Sequence, residues 1–475
     1  MATFLLCTDG THGDVLPFLR LAQGLTARGH ETVVYTHQVY AELAARIGIR
    51  LVATDTTEAY ERLLEDHRDV LLNVLTRVDH VVDFYHRNGI FDQIHGEFAA
   101  MAALARTRPA GEVVLVGRHT SRLSILLGRE ALRIPAAWVC VTPTQHMGAP
   151  LTQRLYPRGL ADPMNALRDR LGLPPVTDWG SWLSDVDGCV CLWPDWFDSA
   201  GHPAPADAAR VGFLLNDEAE GGALPAEVAA LVADDLPAEA RPVLITGGSS
   251  RMLHRDWYAT AVAAVAAAGR TGIVVCRYRD LLPPDLPDGM RWFPALPFAT
   301  LMPEVAAVVH HGGILTSARA VRSGTPQVVL AHGVDRPDNA RRLRQLGLAE
   351  WLPAARWEPA GAAAQLSRVL ADPGYRQRAA DLAPTIDGAT ALDAACLAVE
   401  RLVGRAVAAA RPVPALAAAA PGPAVSAGPT SVEALPAGAA DGPDPRLAGL
   451  SPQRAELLRR WLDRQAGPAG SLPNN

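Results

Sequence analysis

The stretch His310–Gly347 reads HHGGILTSARAVRSGTPQVVLAHGVDRPDNARRLRQLG. Two histidines, His310 and His311, close an apolar run, Gly312 and Gly313 follow, and an amphipathic pattern opens near Ile314. Glycines lack a Cβ and let backbone approach a ligand. A helix start presents free N–H groups and about half a positive charge, which suits phosphate oxygens. Thr316 and Ser317 fall in the first turn, where hydroxyls add donors. A strand-end histidine is equally well explained by a structural hydrogen bond. A second buried strand, PQVVLA, then leads to DRPDN and a helix near 336–345. Asp335 is an awkward neighbour for phosphate unless it accepts from hydroxyls, as a sugar would supply. Its other reading is the cap of that helix, with Pro337 in the first turn. Asn339 is placed to reach the same ligand.

Working outward, the same grammar recurs. TFLLCT (3–8) ends in DGTHGD and an amphipathic stretch closed by Gly29, and ETVVYT, EVVLVG (112–117) and PAAWVCV are further strands. A second set begins at PVLITGGSS (242–250) and runs through GIVVC, AAVVHHGG, PQVVLAHG and LAEWL. Strands alternating with helices imply parallel sheets covered on both faces. The expected division is a domain at 1–214, a linker at 215–240 and a second domain at 241–403. From about 404 the Ala/Pro/Gly bias predicts a flexible tether to 450. SPQRAELLRRWLDRQ (451–465) has Ser451 as cap, Pro452 at the first helical position and a leucine stripe, which predicts a short helix in need of a partner surface.

The chain has 475 residues, 49% of them hydrophobic, and a formal charge of -6. That charge gives no overall attraction to nucleic acid. No apolar run is long enough to span a bilayer, and the start has no basic leader, so a cytoplasmic location is expected. All 44 basic residues are arginine. The absence of lysine excludes a Walker A loop, a Schiff-base lysine and the usual kinase lysine. TDGTHGD lacks the three-glycine spacing of a dehydrogenase. The six cysteines form no CxxC pair. Cys189 and Cys191 should share one strand face, and no accompanying spacing points to zinc. No metal and no cofactor are expected.

Taken together, VVHHGGILTSARAVRSGTPQVVLAHGVDRPDNARRLRQLG and TDGTHGDVLPFLRLAQGLTARGHETVVYT resemble the family 1 glycosyltransferases of the GT-B fold, the bacterial macrolide, glycopeptide and sterol branch. The resemblance covers roughly 1–403. It implies two Rossmann-like domains facing a cleft, a UDP- or dTDP-linked sugar donor and a hydrophobic small-molecule acceptor, natural-product or lipid-like. It implies that His311, Thr316, Gly312, Gly313 and Ser317 meet the diphosphate, that Asp335 grips sugar hydroxyls, that Pro297 and Phe298 form the nucleobase loop, and that Gly248 and Ser249 lie near the phosphates. Asp14 occupies the position of the catalytic base, with His12 two residues before it and His119 a second candidate partner. Phe84, Tyr85, Trp138, His146 and His119 are the candidates for the acceptor pocket, although core packing explains each aromatic as well.

Three positions depart from the family pattern. Leu315 replaces a glycine and is expected to intrude near the phosphates. Arg319 stands where Gln or Glu meets ribose. Arg336 replaces a Gln and is suited to a planar anion. These changes leave open a non-catalytic binding or partner protein, or a sugar-nucleotide epimerase. The helix at 451–465 is expected to dock on a carrier or synthase protein.

Overall fold

The computed structural model describes residues 1–71, 78–216, 221–233, 236–237, 240–249, 251, 253–254 and 256–407. They belong to one compact unit, Met1–Leu416. The helix expected at 451–465, and the expected tether beyond residue 407, lie outside the described residues.

Two parallel sheets form the frame. The first holds β1 (Thr3–Cys7), β2 (Glu31–Thr36), β3 (Arg50–Ala53), β4 (Val113–Arg118), β5 (Ala136–Cys140), β6 (Gly188–Cys191) and β7 (Ala209–Arg210), in the order β3-β2-β1-β4-β5-β6-β7. The second holds β8 (Val243–Thr246), β9 (Gly272–Val275), β10 (Met290–Phe293), β11 (Ala307–His310), β12 (Gln327–Ala331) and β13 (Ala349–Pro353), in the order β10-β9-β8-β11-β12-β13. Central strands such as FLLC and VLIT are apolar on both faces because helices cover both. Every recorded strand pair is parallel, as alternating strands and helices require.

Each sheet reverses its winding once, between β1 and β4 in the first and between β8 and β11 in the second. In open parallel sheets the crevice beyond the carboxyl ends at such a reversal is the ligand position. The loops there are 8–11 and 119–123 in one lobe, and 247–249 and 311–313 in the other. Helix α1 (His12–Ala27) follows the first loop. Helix α2 (Ile314–Arg322) follows the last, and α3 (Arg336–Gln345) follows β12.

The lobes share apolar packing. One buried cluster joins Cys140, Cys191, Trp193, Phe197 and Phe213 from the first lobe to Ile314, Ala318, Val329, Ala340 and Leu343 from the second. Arg342, 1% exposed, crosses the same junction: Nη1 donates to the carbonyls of Phe197 (3.0 Å) and Asp198 (2.6 Å), and Nη2 to that of His202 (2.8 Å). Helix α4 (Gly388–Glu400) lies within the range expected for the second domain, yet its Ala391, Ala395, Cys396 and Val399 bury against Phe18, Leu21 and Leu25 of α1. The chain therefore returns to the first lobe after completing the second. Among the described residues, no single helix is long and apolar enough to cross a membrane.

Candidate active site

The second lobe positions its glycine loops around one imidazole. His311 ends the turn after β11, 8% exposed, and its Nδ1 is buried without a hydrogen-bond partner. A Cβ on Gly248 would lie 2.7 Å from the ring's Cε1, and one on Gly313 would lie 2.5 Å from Nε2. The two residues are glycines because this ring fills the space a side chain would take, and Gly248 also has φ +81°. Burial pushes the His311 pKa well below the ordinary histidine value, and the charge of Arg336 adds to that effect. The ring is therefore a neutral imidazole, with its Nε2 edge against Gly313 before the amino end of α2.

His310 has a different part. It is fully buried, accepts the Gly312 N–H at Nδ1 (3.2 Å) and pairs through Nε2 with Gln327 Oε1 (3.0 Å). It shapes the glycine turn from beneath. Asn339, expected at the donor, is also 0% exposed. Its amide N–H donates to the Gly312 carbonyl (3.0 Å), and its oxygen accepts from the Thr142 hydroxyl of the other lobe (3.4 Å). With a hydrogen bond at each end, Asn339 braces the loop against the other lobe. Ser317 is buried too, its hydroxyl donating to Gly313 O within the helix (3.0 Å). Thr316 remains half-buried in the first turn.

Of the three departures, Leu315 is partly buried and packs against the interlobe core. Arg319 is buried at 3% exposure. Arg336 Nη1 lies 3.0 Å from His332 Nε2. Asp335 holds the cap position of α3, but its side chain makes no capping hydrogen bond. Burial pushes its pKa up; Arg336 opposes this, and the charge of Asp14 adds to it. Pro297 holds the cap position of the short helix Phe298–Leu301, and Phe298 packs partly buried against the cluster that includes Leu301 and Met302. Ser249 is exposed beside Gly248.

In the first lobe, Asp14 sits in the opening turn of α1. Its Oδ2 accepts from the Thr11 N–H (2.9 Å) and hydroxyl (3.2 Å), and its Oδ1 lies 2.9 Å from Arg118 Nη2. A carboxylate has about four lone-pair sites, so one remains for an incoming hydroxyl. Arg118 also reaches Asp9 Oδ1 at 2.8 Å. Behind it, Arg122 pairs with Glu97 (3.0 Å), which also accepts from the Ser124 hydroxyl. His12 is half-buried, with its ring edge on Tyr40 at 5.4 Å. Burial and the charge of Arg277 lower its pKa, so it too is neutral near pH 7.

A histidine that the sequence did not single out supports this loop. The Gly10 N–H donates to His37 Nε2 (2.8 Å), so the ring proton lies on Nδ1, 2.6 Å from Asp55 Oδ2. Tyr60 and Tyr40 hydroxyls both donate to the Gly10 carbonyl, at 3.1 and 3.4 Å. Arg118, Asp9 and His37 were missed because their partners lie on other strands. A signal did exist: the strand EVVLVG runs into a charged Arg118 directly before His119.

The expected acceptor residues divide. Phe84 and Trp138 belong to the first lobe's core, and the Trp138 indole N–H donates to Leu183 O (2.7 Å). Both are therefore explained by core packing, the reading the sequence left open for each aromatic. Tyr85 packs partly buried against the same core. His119 is buried edge-on to Trp138 at 5.3 Å, with Nδ1 unpartnered, and burial lowers its pKa to about 4. His146 points its Nε2 at Cys191 Sγ, 3.3 Å away. Thr120, between Arg118 and the following helix, adopts φ 69°. That is a strained conformation for a β-branched residue, and such strain gathers at functional loops.

Comparison with known proteins identifies the family. Residues 265–390 match the family described as Erythromycin biosynthesis protein CIII-like, C-terminal domain. The chain is 28% identical over 438 residues to an O-mycaminosyltylonolide 6-deoxyallosyltransferase of Streptomyces fradiae, covering 83% of this chain and 96% of the relative. It is 33% identical over 378 residues to a vancomycin aglycone glucosyltransferase of Amycolatopsis orientalis, covering 72% and 84%. Among solved structures, the glycotransferase of kitacinnamycin superposes with a TM-score of 0.65 at 22% identity, over 85% of this chain and 99% of that one. Glycosyltransferase VinC in complex with dTDP superposes with a TM-score of 0.59 at 20% identity, over 84% and 98%. The chain belongs to the family 1 GT-B glycosyltransferases, in the branch that serves antibiotic biosynthesis, and is a nucleotide-sugar-dependent glycosyltransferase.

Proposed function

We propose that the protein transfers a hexose from a dTDP- or UDP-sugar to a hydroxyl of a hydrophobic natural-product acceptor, with inversion at the anomeric carbon. The observation that carries this reading is the neutral imidazole of His311, packed between Gly248 and Gly313 directly before the amino end of α2. In the reaction, a lone pair of the acceptor oxygen attacks the anomeric carbon. The bond from that carbon to the diphosphate oxygen breaks, and its electron pair leaves with the nucleoside diphosphate. Asp14 takes the acceptor's proton on its remaining lone pair, and the neutral His12 beside it orients the hydroxyl. His311, Thr316 and the free N–H groups of α2 meet the growing charge on the diphosphate. Preorganised donors of this kind contribute about 3–4 kcal/mol each to a transition state. Asp335, without a capping bond of its own, accepts from sugar hydroxyls.

The dTDP bound to VinC favours thymidine over uridine in the donor. The relatives that act on a tylonolide and on the vancomycin aglycone favour a large apolar acceptor. Six unpaired cysteines suit a reducing, cytoplasmic compartment. A panel of dTDP- and UDP-sugars against macrolide and glycopeptide aglycones, read by product mass, tests the reading. A product heavier than the aglycone by one sugar residue supports it. Conversion of the donor without acceptor, or binding without turnover, would refute it.

A further inference from the structure

We propose that Cys140, Cys189, Cys191 and His146 bind a single zinc ion in a closed, structural site. The sheet brings three thiols to one place. Cys140 of β5 is the register partner of Cys191 of β6 in a parallel pair, so their side chains share a face. Cys189 lies two residues before Cys191 on the same strand and points the same way. The 3₁₀ turn Pro143–Met147 after β5 delivers His146 above them. The four ligand atoms all lie within 4.8 Å of one another.

The distances match a tetrahedral ion. Zn–S bonds of about 2.3 Å at tetrahedral angles require sulfurs roughly 3.8 Å apart, and Zn–N of about 2.0 Å sets a nitrogen–sulfur edge of roughly 3.5 Å. Cys140 and Cys189 sulfurs are 3.8 Å apart, and His146 Nε2 is 3.3 Å from Cys191 Sγ. A disulfide needs sulfurs about 2.0 Å apart and would use only two of the four groups. Three thiolates and one imidazole select zinc among the common divalent ions. Four protein ligands leave no open position for substrate, which marks a structural and not a catalytic site. The sequence concealed the site because its ligands come from Cys-x5-His and a distant Cys-x-Cys, a pattern made only by strand pairing.

The position gives the ion a purpose. Cys140 and Cys191 belong to the interlobe cluster that also holds Ile314 and Ala318 of α2. An ion here would fix the two strand ends and the His146 turn against the helix whose start faces the crevice. The proposal stands independently of the transfer reaction, because its test reads metal.

The full chain, purified from zinc-supplemented cells and dialysed, should carry about one zinc per chain by elemental analysis. Cys191→Ser and His146→Ala should each lose most of it, while Cys276→Ser, outside the cluster, should keep it. Cobalt loaded in place of zinc should give the visible bands of a tetrahedral thiolate complex, and all six thiols should titrate after unfolding in chelator. Should Cys191→Ser fail to fold, His146→Ala and the cobalt spectrum decide the matter. Wild-type protein that folds without zinc, a thiol count two lower than six, or a His146→Ala protein with unchanged cobalt bands would overturn the proposal.

Discussion

Arg118 Nη2 lies 2.9 Å from Asp14 Oδ1, at the point where the first sheet reverses its winding. The same guanidinium holds Asp9 at 2.8 Å, so one cation fixes the loop after β1 and the opening turn of α1 together. Replacing it with Met would remove the cation that Asp9 and Asp14 share, leaving Asp9 only the longer contact to Arg122 Nε at 3.6 Å. Arg118→Met is expected to cost about 3 kcal/mol of stability. It should also lower kcat/KM by roughly 10²-fold through a misplaced Asp14. Denaturant unfolding and steady-state kinetics check the two effects separately.

The crowding around His311 gives a steric prediction. A Cβ at Gly313 would meet Nε2 at 2.5 Å, and one at Gly248 would meet Cε1 at 2.7 Å from a backbone at φ +81°. Gly248→Ala combines a clash with left-handed strain, at about 1–2 kcal/mol for the backbone alone. Both alanine variants should raise KM for the donor more than KM for the acceptor. An equal rise in both would show that the ring is not on the donor side.

Stability should depend on pH through His310. Burial lowers its folded pKa to about 4, against an ordinary value of 6.5 in the unfolded chain. Between these values the unfolded state binds the extra proton, so stability falls as pH drops from about 6.5 toward 4, by at most about 3 kcal/mol from this residue. Above the upper value the contribution is fully present. His310→Gln should flatten the melting-temperature profile in that window, and an unchanged slope would rule His310 out as its source.

Much of the frame was legible before any coordinates. Period-2 and period-3.6 apolar patterns, with glycines at strand ends, are local signals, and they located the helix starts at Ile314 and Arg336, while the first helix begins at His12, inside the stretch DGTHGD read as a loop. What the sequence hid was the direction of side chains and the partners supplied by other strands. Ser317, Asn339 and Leu315 lie in the right segments but point into the protein. Arg118, His37 and the three clustered cysteines acquire their partners only when β1, β2, β4, β5 and β6 pair. Trp138 was ambiguous for the converse reason, since an indole suits a core and a greasy pocket equally.

The lobe junction makes its own prediction. Arg342→Ala would leave the carbonyls of Phe197, Asp198 and His202 without this donor and remove the guanidinium that fills the space beside Gly201. A loss of about 3–5 kcal/mol is expected, as for other buried charged hydrogen-bond networks. Scanning calorimetry should show a lower melting temperature, with the donor KM less affected than in the glycine variants.

The central claim is that the donor's diphosphate rests against His311 and the start of α2. Calorimetric titration of dTDP into wild-type, His311→Ala and Asp14→Asn proteins tests it most directly. The account predicts a Kd at least about tenfold weaker for His311→Ala, equivalent to a lost hydrogen bond to a charged group. Asp14→Asn should bind dTDP as wild type does while losing turnover. Equal dTDP affinity in wild-type and a folded His311→Ala protein would contradict the account.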